Sequence, residues 1–227
     1  MNRAGQARPF DPHDLLWVAD GRALQAPAPL PRWADAAWMA QSPLVVRRER
    51  VASTNLVPVG LRGRLRNERF AAYLEAGAVL RQVKPEMLAR AACRQRLPGM
   101  EHLPAAIALA RVAPLLDASG LRWGPTGSMG YALASGLPAL RPESDLDLLV
   151  RANTPFTPAQ VQALQSLPDD HGCRIDLQVD TGHGGFALVE WLRDAGRVLL
   201  KTGRGPFLTG DPWNQTGWLD SVETEAA

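Results

Sequence analysis

Lysine is nearly absent from this 227-residue chain. Lys84 and Lys201 are its two lysines, and arginine supplies the rest of the 25 basic side chains. A single arginine is therefore weak evidence of a phosphate partner. Cysteine is equally scarce. Cys93 and Cys173 cannot make a disulfide framework. No Cys/His grouping has zinc spacing, and no Walker loop, heptad run or internal repeat is present. No nucleophilic Cys/His or Ser/His/Asp set is identifiable from residue order. No apolar run is long enough to span a bilayer. The opening Met1–Gln6 lacks the apolar stretch of a secretory signal. These absences point to a cytoplasmic protein with no membrane partner. The seven tryptophans read as packing residues rather than base-stacking platforms, so no nucleic-acid partner is expected.

What is present suffices for a sizeable core, since 46% of the residues are hydrophobic. The overall charge of +2 hides an asymmetry. Residues 1–100 carry 16 basic and 8 acidic side chains, a net +8, whereas residues 101–227 carry 9 and 15, a net −6. A basic first part attracts anionic substrates or acidic partners. The expected fold class is α+β. A smaller, basic N-terminal α+β domain covers residues 1–90. A catalytic domain with a small mixed sheet and flanking helices covers 91–227.

In the first part, Leu15–Val18, Leu44–Arg48 and Leu56–Leu61 read as strands, with Pro58 demoting the last to an edge or a bulge. Arg62, Arg64 and Arg66 follow, as either a solvated loop or a phosphate clamp. The spacing of Phe70, Tyr73, Gly77, Leu80 and Met87 predicts a helix-rich stretch over 68–96, broken at Pro85. Further on, 102–118 reads as a helix, and Thr157–Gln160 as a capping box with Pro158 at the first helical position. Gly182–Gly185 is expected to open a helix through Trp191, and Arg197–Lys201 to form a final strand. His183 lies in that glycine loop, where a lone histidine is usually incidental. Lys201 reads equally as a phosphate contact or as a solvated lysine.

The chemistry concentrates between residues 120 and 180. In Ser144-Asp145-Leu146-Asp147-Leu148, strand alternation projects Asp145 and Asp147 to one face and the leucines to the other. In Cys173 to Asp180 the period of two is strict, and Asp176 falls on the polar face. Adjacent ionised carboxylates repel, and a divalent cation removes the conflict. Mg2+ suits oxygen ligands and completes its shell with water and substrate phosphates. Asp176 is held in mid-strand, whereas Asp180, beside Thr181-Gly182, is expected to be solvated. Before these strands, Gly127-Ser128 opens a short helix, Met129–Ala134, that Gly136 stops. Its first N–H groups and the Ser128 hydroxyl offer a phosphate cradle. Together these residues indicate metal-assisted phosphoryl or nucleotidyl transfer.

The ordered set Gly127-Ser128, Asp145-x-Asp147, Asp176 resembles the nucleotidyltransferase superfamily related to polymerase beta. Sixteen residues separate Ser128 from Asp145, more than that superfamily usually shows. The longer string Trp123–Tyr131, with Leu133–Pro138 and Ser144–Leu148, is similar to the phosphoribosyl-dephospho-CoA transferase family of malonate decarboxylase, which has this wider spacing. That resemblance implies transfer of a phosphoribosyl-dephospho-CoA group from 2′-(5″-triphosphoribosyl)-3′-dephospho-CoA to a serine of the acyl carrier protein, with diphosphate leaving. With that donor, the carboxylates Asp145, Asp147 and Asp176 are expected to hold Mg2+, as two ions, and Gly127 and Ser128 the departing phosphates, with Lys201 as a further candidate phosphate contact. The residues alone leave open an ordinary nucleoside triphosphate as donor, or a non-catalytic binding subunit on the same fold.

Overall fold

The computed structural model describes residues 10–90, 97, 99–168, 172–193 and 197–214. These residues form two six-stranded sheets. The first contains β1 (Leu15–Trp17), β2 (Leu24–Gln25), β3 (Leu44–Val46), β4 (Leu56–Arg62), β5 (Arg69–Glu75) and β6 (Arg81–Val83). Its order is β2-β5-β4-β3-β1-β6, and every pairing is antiparallel. Alternation gives this sheet two unlike faces. Leu16, Leu44, Val46, Val59, Leu61 and Leu74 point into one core with Met39 of α1 (Ala36–Gln41). Leu15 and Val83 point the other way, into a core shared with the second half of the chain. Asp35 starts α1 by accepting the Trp38 N–H at 2.8 Å.

The second sheet contains β7 (Arg122–Pro125), β8 (Leu146–Arg151), β9 (Ile175–Asp180), β10 (Gly185–Ala187), β11 (Val198–Thr202) and β12 (Gly205–Thr209), in sequence order from one edge to the other. It is mixed: β8 and β9 run parallel and the other neighbours are antiparallel. A parallel pair needs a crossover, and the segment carrying α5 (Pro158–Gln165) supplies it. The expected capping box is present: Thr157 Oγ1 accepts from Gln160 N, and Gln160 Oε1 accepts from Thr157 N. Leu146, Leu148 and Val150 of β8 face a core shared with α3 (Pro104–Ala118). The polar face carries Asp147, Arg151, Asp176 and Asp180, turned toward the first sheet. The short α2 (Pro85–Leu88) packs so closely on β7 that a Cβ at Gly124 would overlap the Pro85 carbonyl. Among the described residues no helix is long and apolar enough to cross a membrane.

Four expectations fail. Residues 69–75 and 81–83 are strands β5 and β6, joined through a single 3-10 turn at 76–78, not α-helix. The helical spacing of Phe70 and Tyr73 was coincidental, and pairing with β4 over seven registers decided the outcome. Residues 91–96 of that stretch, Cys93 among them, lie outside the described residues. Next, β4 is central, not an edge. Pro58 is tolerated because its carbonyl, accepting from Arg47 N at 2.8 Å, turns toward β3 just where that strand ends at Val46. Residues 181–187 form a tight turn and β10, and the helix α6 (Leu188–Arg193) starts only afterward. Finally, Asp180 is buried at 3% exposure, not solvated.

The burial of Asp180 follows from the packing of the two sheets. Arg48 of the first sheet's side of the molecule reaches it at 2.9 Å, Arg151 at 3.1 Å, and Gly182 N–H donates to it at 2.8 Å. Burial alone would raise its pKa. The Arg48 charge and hydrogen bond, the Gly182 N–H and Arg151 together hold it below the ordinary carboxylate value. Arg151 also bonds Glu86 at 2.7 Å, Asp14 at 3.2 Å and the Pro12 carbonyl at 3.0 Å. Asp14 is fully buried. This arginine therefore joins both halves of the chain through one buried ion network.

Candidate active site

The site is built where β7 runs into α4 (Gly127–Ser135). Thr126 is the N-cap, but its side chain makes no cap hydrogen bond, and Gly130 N is the first amide to find a helical acceptor, at 2.8 Å on Thr126 O. The N–H groups ahead of it have no partner within the helix and face outward. Gly136 ends α4 in the left-handed conformation, as expected. Gly127 also has positive φ, at 56°. A Cβ built there would overlap the Asp147 carboxylate. The Gly127-Ser128 turn and the carboxylate strand are thus in contact, and glycine is required for both backbone and space.

Parallel pairing of β8 with β9 sets Asp147 directly beside Asp176. Asp145 lies just before β8 and is exposed. The consequence is electrostatic. Asp147 is pushed up from 3.8 to about 6, by burial first, then by Asp176 and Asp145, against the opposing pull of Arg62 and Arg174. Arg174 stands 4.0 Å from Asp176 and is mostly solvated, so it compensates weakly. A partly buried pair of like charges with so little counter-charge suits a cation. Among the described residues, no three Asp, Glu, His or Cys side chains converge tightly enough to hold one ion. An ion here would complete its shell with water and substrate oxygens, as Mg2+ commonly does.

The expected arginine loop divides. Arg62 turns inward and donates to Ser128 Oγ at 2.9 Å and to the Ala139 carbonyl at 3.3 Å. It lies over the Tyr131 ring at 5.2 Å. Arg64 stacks outward on Trp38 at 4.3 Å, and Arg66 is exposed. Arg69, which the sequence did not single out, is the cross-strand partner of Arg62. Burial and the neighbouring Arg69 push Arg62 down to about 10. Cross-strand register could have paired the two, had 69–75 been read as a strand.

Lys201 does not join this group. It lies on β11 in one row with Gly185, Asp180 and Arg151. That row is four residues along β8 from Asp147, or roughly 13 Å at the usual strand rise. The loop holding His183 follows Asp180 at the same far end. Trp191 and Trp213 pack edge-on against Phe156 and each other, in the structural role expected of them.

Two family models account for most of the chain. The C-terminal domain model of phosphoribosyl-dephospho-CoA transferase MdcG matches residues 87–212, and the N-terminal domain model matches 11–85. The chain belongs to the phosphoribosyl-dephospho-CoA transferase family. A relative of that name from Pseudomonas putida (strain GB-1) is 47% identical over 202 residues, covering 89% of this chain and 94% of its own. One from Klebsiella pneumoniae (strain 342) is 43% identical over 204 residues, covering 90% and 96%. No solved structure matches the chain significantly. Both matched family domains contribute to the site: Arg62 and Arg69 from the first, Gly127, Ser128 and the carboxylates from the second.

The contact between Gly127 and Asp147 makes a sharp prediction for a member of this family. Gly127→Ala should lower kcat roughly 100-fold or more, because Asp147 must move aside. Gly136→Ala, also at positive φ but with open space around its Cβ, should cost about 1 kcal/mol of stability and little activity. Steady-state kinetics and melting curves of the two variants check this. Equal activities would remove the spatial argument for Gly127.

Proposed function

We propose that the chain transfers a phosphoribosyl-dephospho-CoA group from 2′-(5″-triphosphoribosyl)-3′-dephospho-CoA to a serine of the acyl carrier protein of malonate decarboxylase, releasing diphosphate. The observation that carries the reading is the abutment of the Gly127 turn on the Asp147–Asp176 pair, within a chain of this family. Phosphate donors on one side of that contact and anionic ligands on the other are the two requirements of phosphoryl transfer. A first unit of residues 1–90 and a second of 91–227, working in the cytoplasm, belong to the same proposal.

The chain's own groups then have distinct tasks. The free N–H groups at the start of α4, Ser128 and Arg62 hold the donor phosphates. Asp176 receives the proton of the serine hydroxyl. The serine oxygen bonds to the phosphorus attached to the ribosyl 5″ oxygen, and the bond from that phosphorus to the departing diphosphate breaks. Asp145, Asp147 and Asp176 are the residues that would hold Mg2+, in one or two ions. Bound Mg2+ supplies neutralisation of phosphate charge and acidification of the hydroxyl. In this reading Lys201 is outside the phosphate site, since its row lies far along the strand.

Intact mass spectrometry of purified carrier protein, after incubation with the enzyme, Mg2+ and either this donor or ATP, tests the proposal. The expected result is a mass gain of one phosphoribosyl-dephospho-CoA, blocked by serine-to-alanine substitution in the carrier. A nucleotide-sized gain from ATP would replace the donor assignment. No gain from either would overturn the reaction.

A further inference from the structure

A cavity of about 530 Å3 lies between the first sheet and α4, within the size range of small-molecule sites. Its floor is one row across four strands: Leu15, Val45, Gly60 and Ala71 are successive cross-strand partners. Residues in such a row share a face, and this is the face opposite the first sheet's own core. Gly60 and Ala71 have little or no side chain, so the row dips in the middle. Pro125, Thr126, Gly127 and Tyr131 close the cavity from the α4 side.

Its rim is cationic, and of its arginines Arg62 and Arg69 make no ion pair with a carboxylate among the described residues, Arg62 feeling Asp147 only at a distance. Arg62 and Arg69 are direct cross-strand partners that both line it. Like charges placed opposite each other destabilise a sheet. Among the described residues, neither is in an ion pair with an acid. Arg47, a third lining arginine, is already paired with Glu49. Two facing guanidiniums beside an apolar floor suit a ligand with an uncharged flat body and phosphates at one end.

We infer that this cavity is a subsite for the adenosine portion of the donor, with Arg62 and Arg69 of the first sheet gripping the phosphates at its mouth. The inference rests on the proposed function for the identity of the nucleoside. Its position does not: the cavity wall at Thr126 and Gly127 is the turn that touches Asp147. A nucleoside seated there directs the ribose on its 2′ oxygen, and the 5″ triphosphate that ribose carries, to the start of α4, beside the carboxylate pair. The N-terminal domain is thereby a substrate-binding wall, and donor selection resides mainly in it.

Gly60 gives a direct test. Its φ is not in the left-handed region, and a Cβ there would meet nothing nearer than Arg47 Cδ at 3.6 Å. Valine fits a strand backbone, so Gly60→Val should fold normally while filling the dip. Ala71→Leu fills it from the neighbouring strand and guards against an accident of one variant. Isothermal titration with dephospho-CoA, AMP and 4′-phosphopantetheine, alongside melting curves, provides the readout. The expected result is wild-type binding of dephospho-CoA and AMP, weakened roughly tenfold or more in both variants, with melting temperatures kept. Wild-type affinity in both variants, or no binding of either nucleotide to the wild type, would overturn the subsite. A loss confined to phosphopantetheine would overturn the adenosine assignment. Transfer to carrier protein is scored separately, so a wild type that transfers while both variants bind normally refutes this inference and leaves the function standing. A wild type that binds through the cavity without transferring does the reverse.

Discussion

Asp147→Asn is expected to abolish transfer while making the metal-free protein more stable. The carboxylate stands against Asp176 in register and against Gly127 in space. Asparagine keeps the shape and removes the charge that a cation and the developing transition state require. A loss on the order of 10³-fold in kcat is expected, and the same for Asp176→Asn. The stability effect has the opposite sign. Because the folded-state pKa is raised from 3.8 to about 6, the native state holds a proton that the unfolded chain has released. Ionised Asp147 therefore costs stability above pH 6, and the cost fades as pH falls from 6 toward 3.8. At pH 7 Asp147→Asn should gain on the order of 1–2 kcal/mol, allowing for partial solvation. The gain should vanish near pH 4. Urea titrations of metal-free protein at both pH values measure it. A variant that is inactive and also destabilised at pH 7 would mean that Asp147 is a structural residue.

Arg151→Met should cost about 3–5 kcal/mol, the usual penalty for removing one member of a buried ion network. Its side chain is 8% exposed, and it faces the fully buried Asp14 and the almost buried Asp180. Methionine fills the volume but leaves both carboxylates short of a cation. Arg48 and Gln82 retain one bond each, to Asp180 and Asp14. Denaturant unfolding gives the free energy. A change below about 1 kcal/mol would mean the network is solvent-relaxed and does not hold the two sheets together. Asp180→Ala belongs with this variant rather than with the catalytic ones. It should lower the melting temperature with kcat of the folded fraction largely kept, whereas Asp176→Ala should do the opposite.

Asp147, Asp176 and Gly127 were legible in the sequence because each rests on local rules: strand alternation, a helix start, glycine at a turn. Whether the β8 and β9 aspartates become neighbours depends on register, and their similar apolar flanks hinted at it. Arg69 and Asp180 were not legible. Arg69 opposes Arg62 only once 69–75 is a strand paired with β4, and Asp180 takes its role from Arg48, 132 residues away, which leaves no local trace. The misread of 69–83 had a related origin, since apolar residues at helical spacing also suit a strand when a long partner is available. The Gly60–Ala71 depression was hidden for the same reason: it exists only once four strands are aligned. Lys201 was the reverse case. Beside its glycine-rich turn it read equally as a phosphate contact or a solvated lysine, and antiparallel pairing carries it to the far end of the sheet from Asp147.

A divalent cation held between the Asp147–Asp176 pair and the donor phosphates is central to the proposed reaction. Electron paramagnetic resonance titration of Mn2+, in the presence of donor but without carrier protein, measures that directly. The account predicts saturable binding to the wild type, weakened at least about tenfold in Asp147→Asn and in Asp176→Asn. Equal Mn2+ affinity in all three proteins would contradict it.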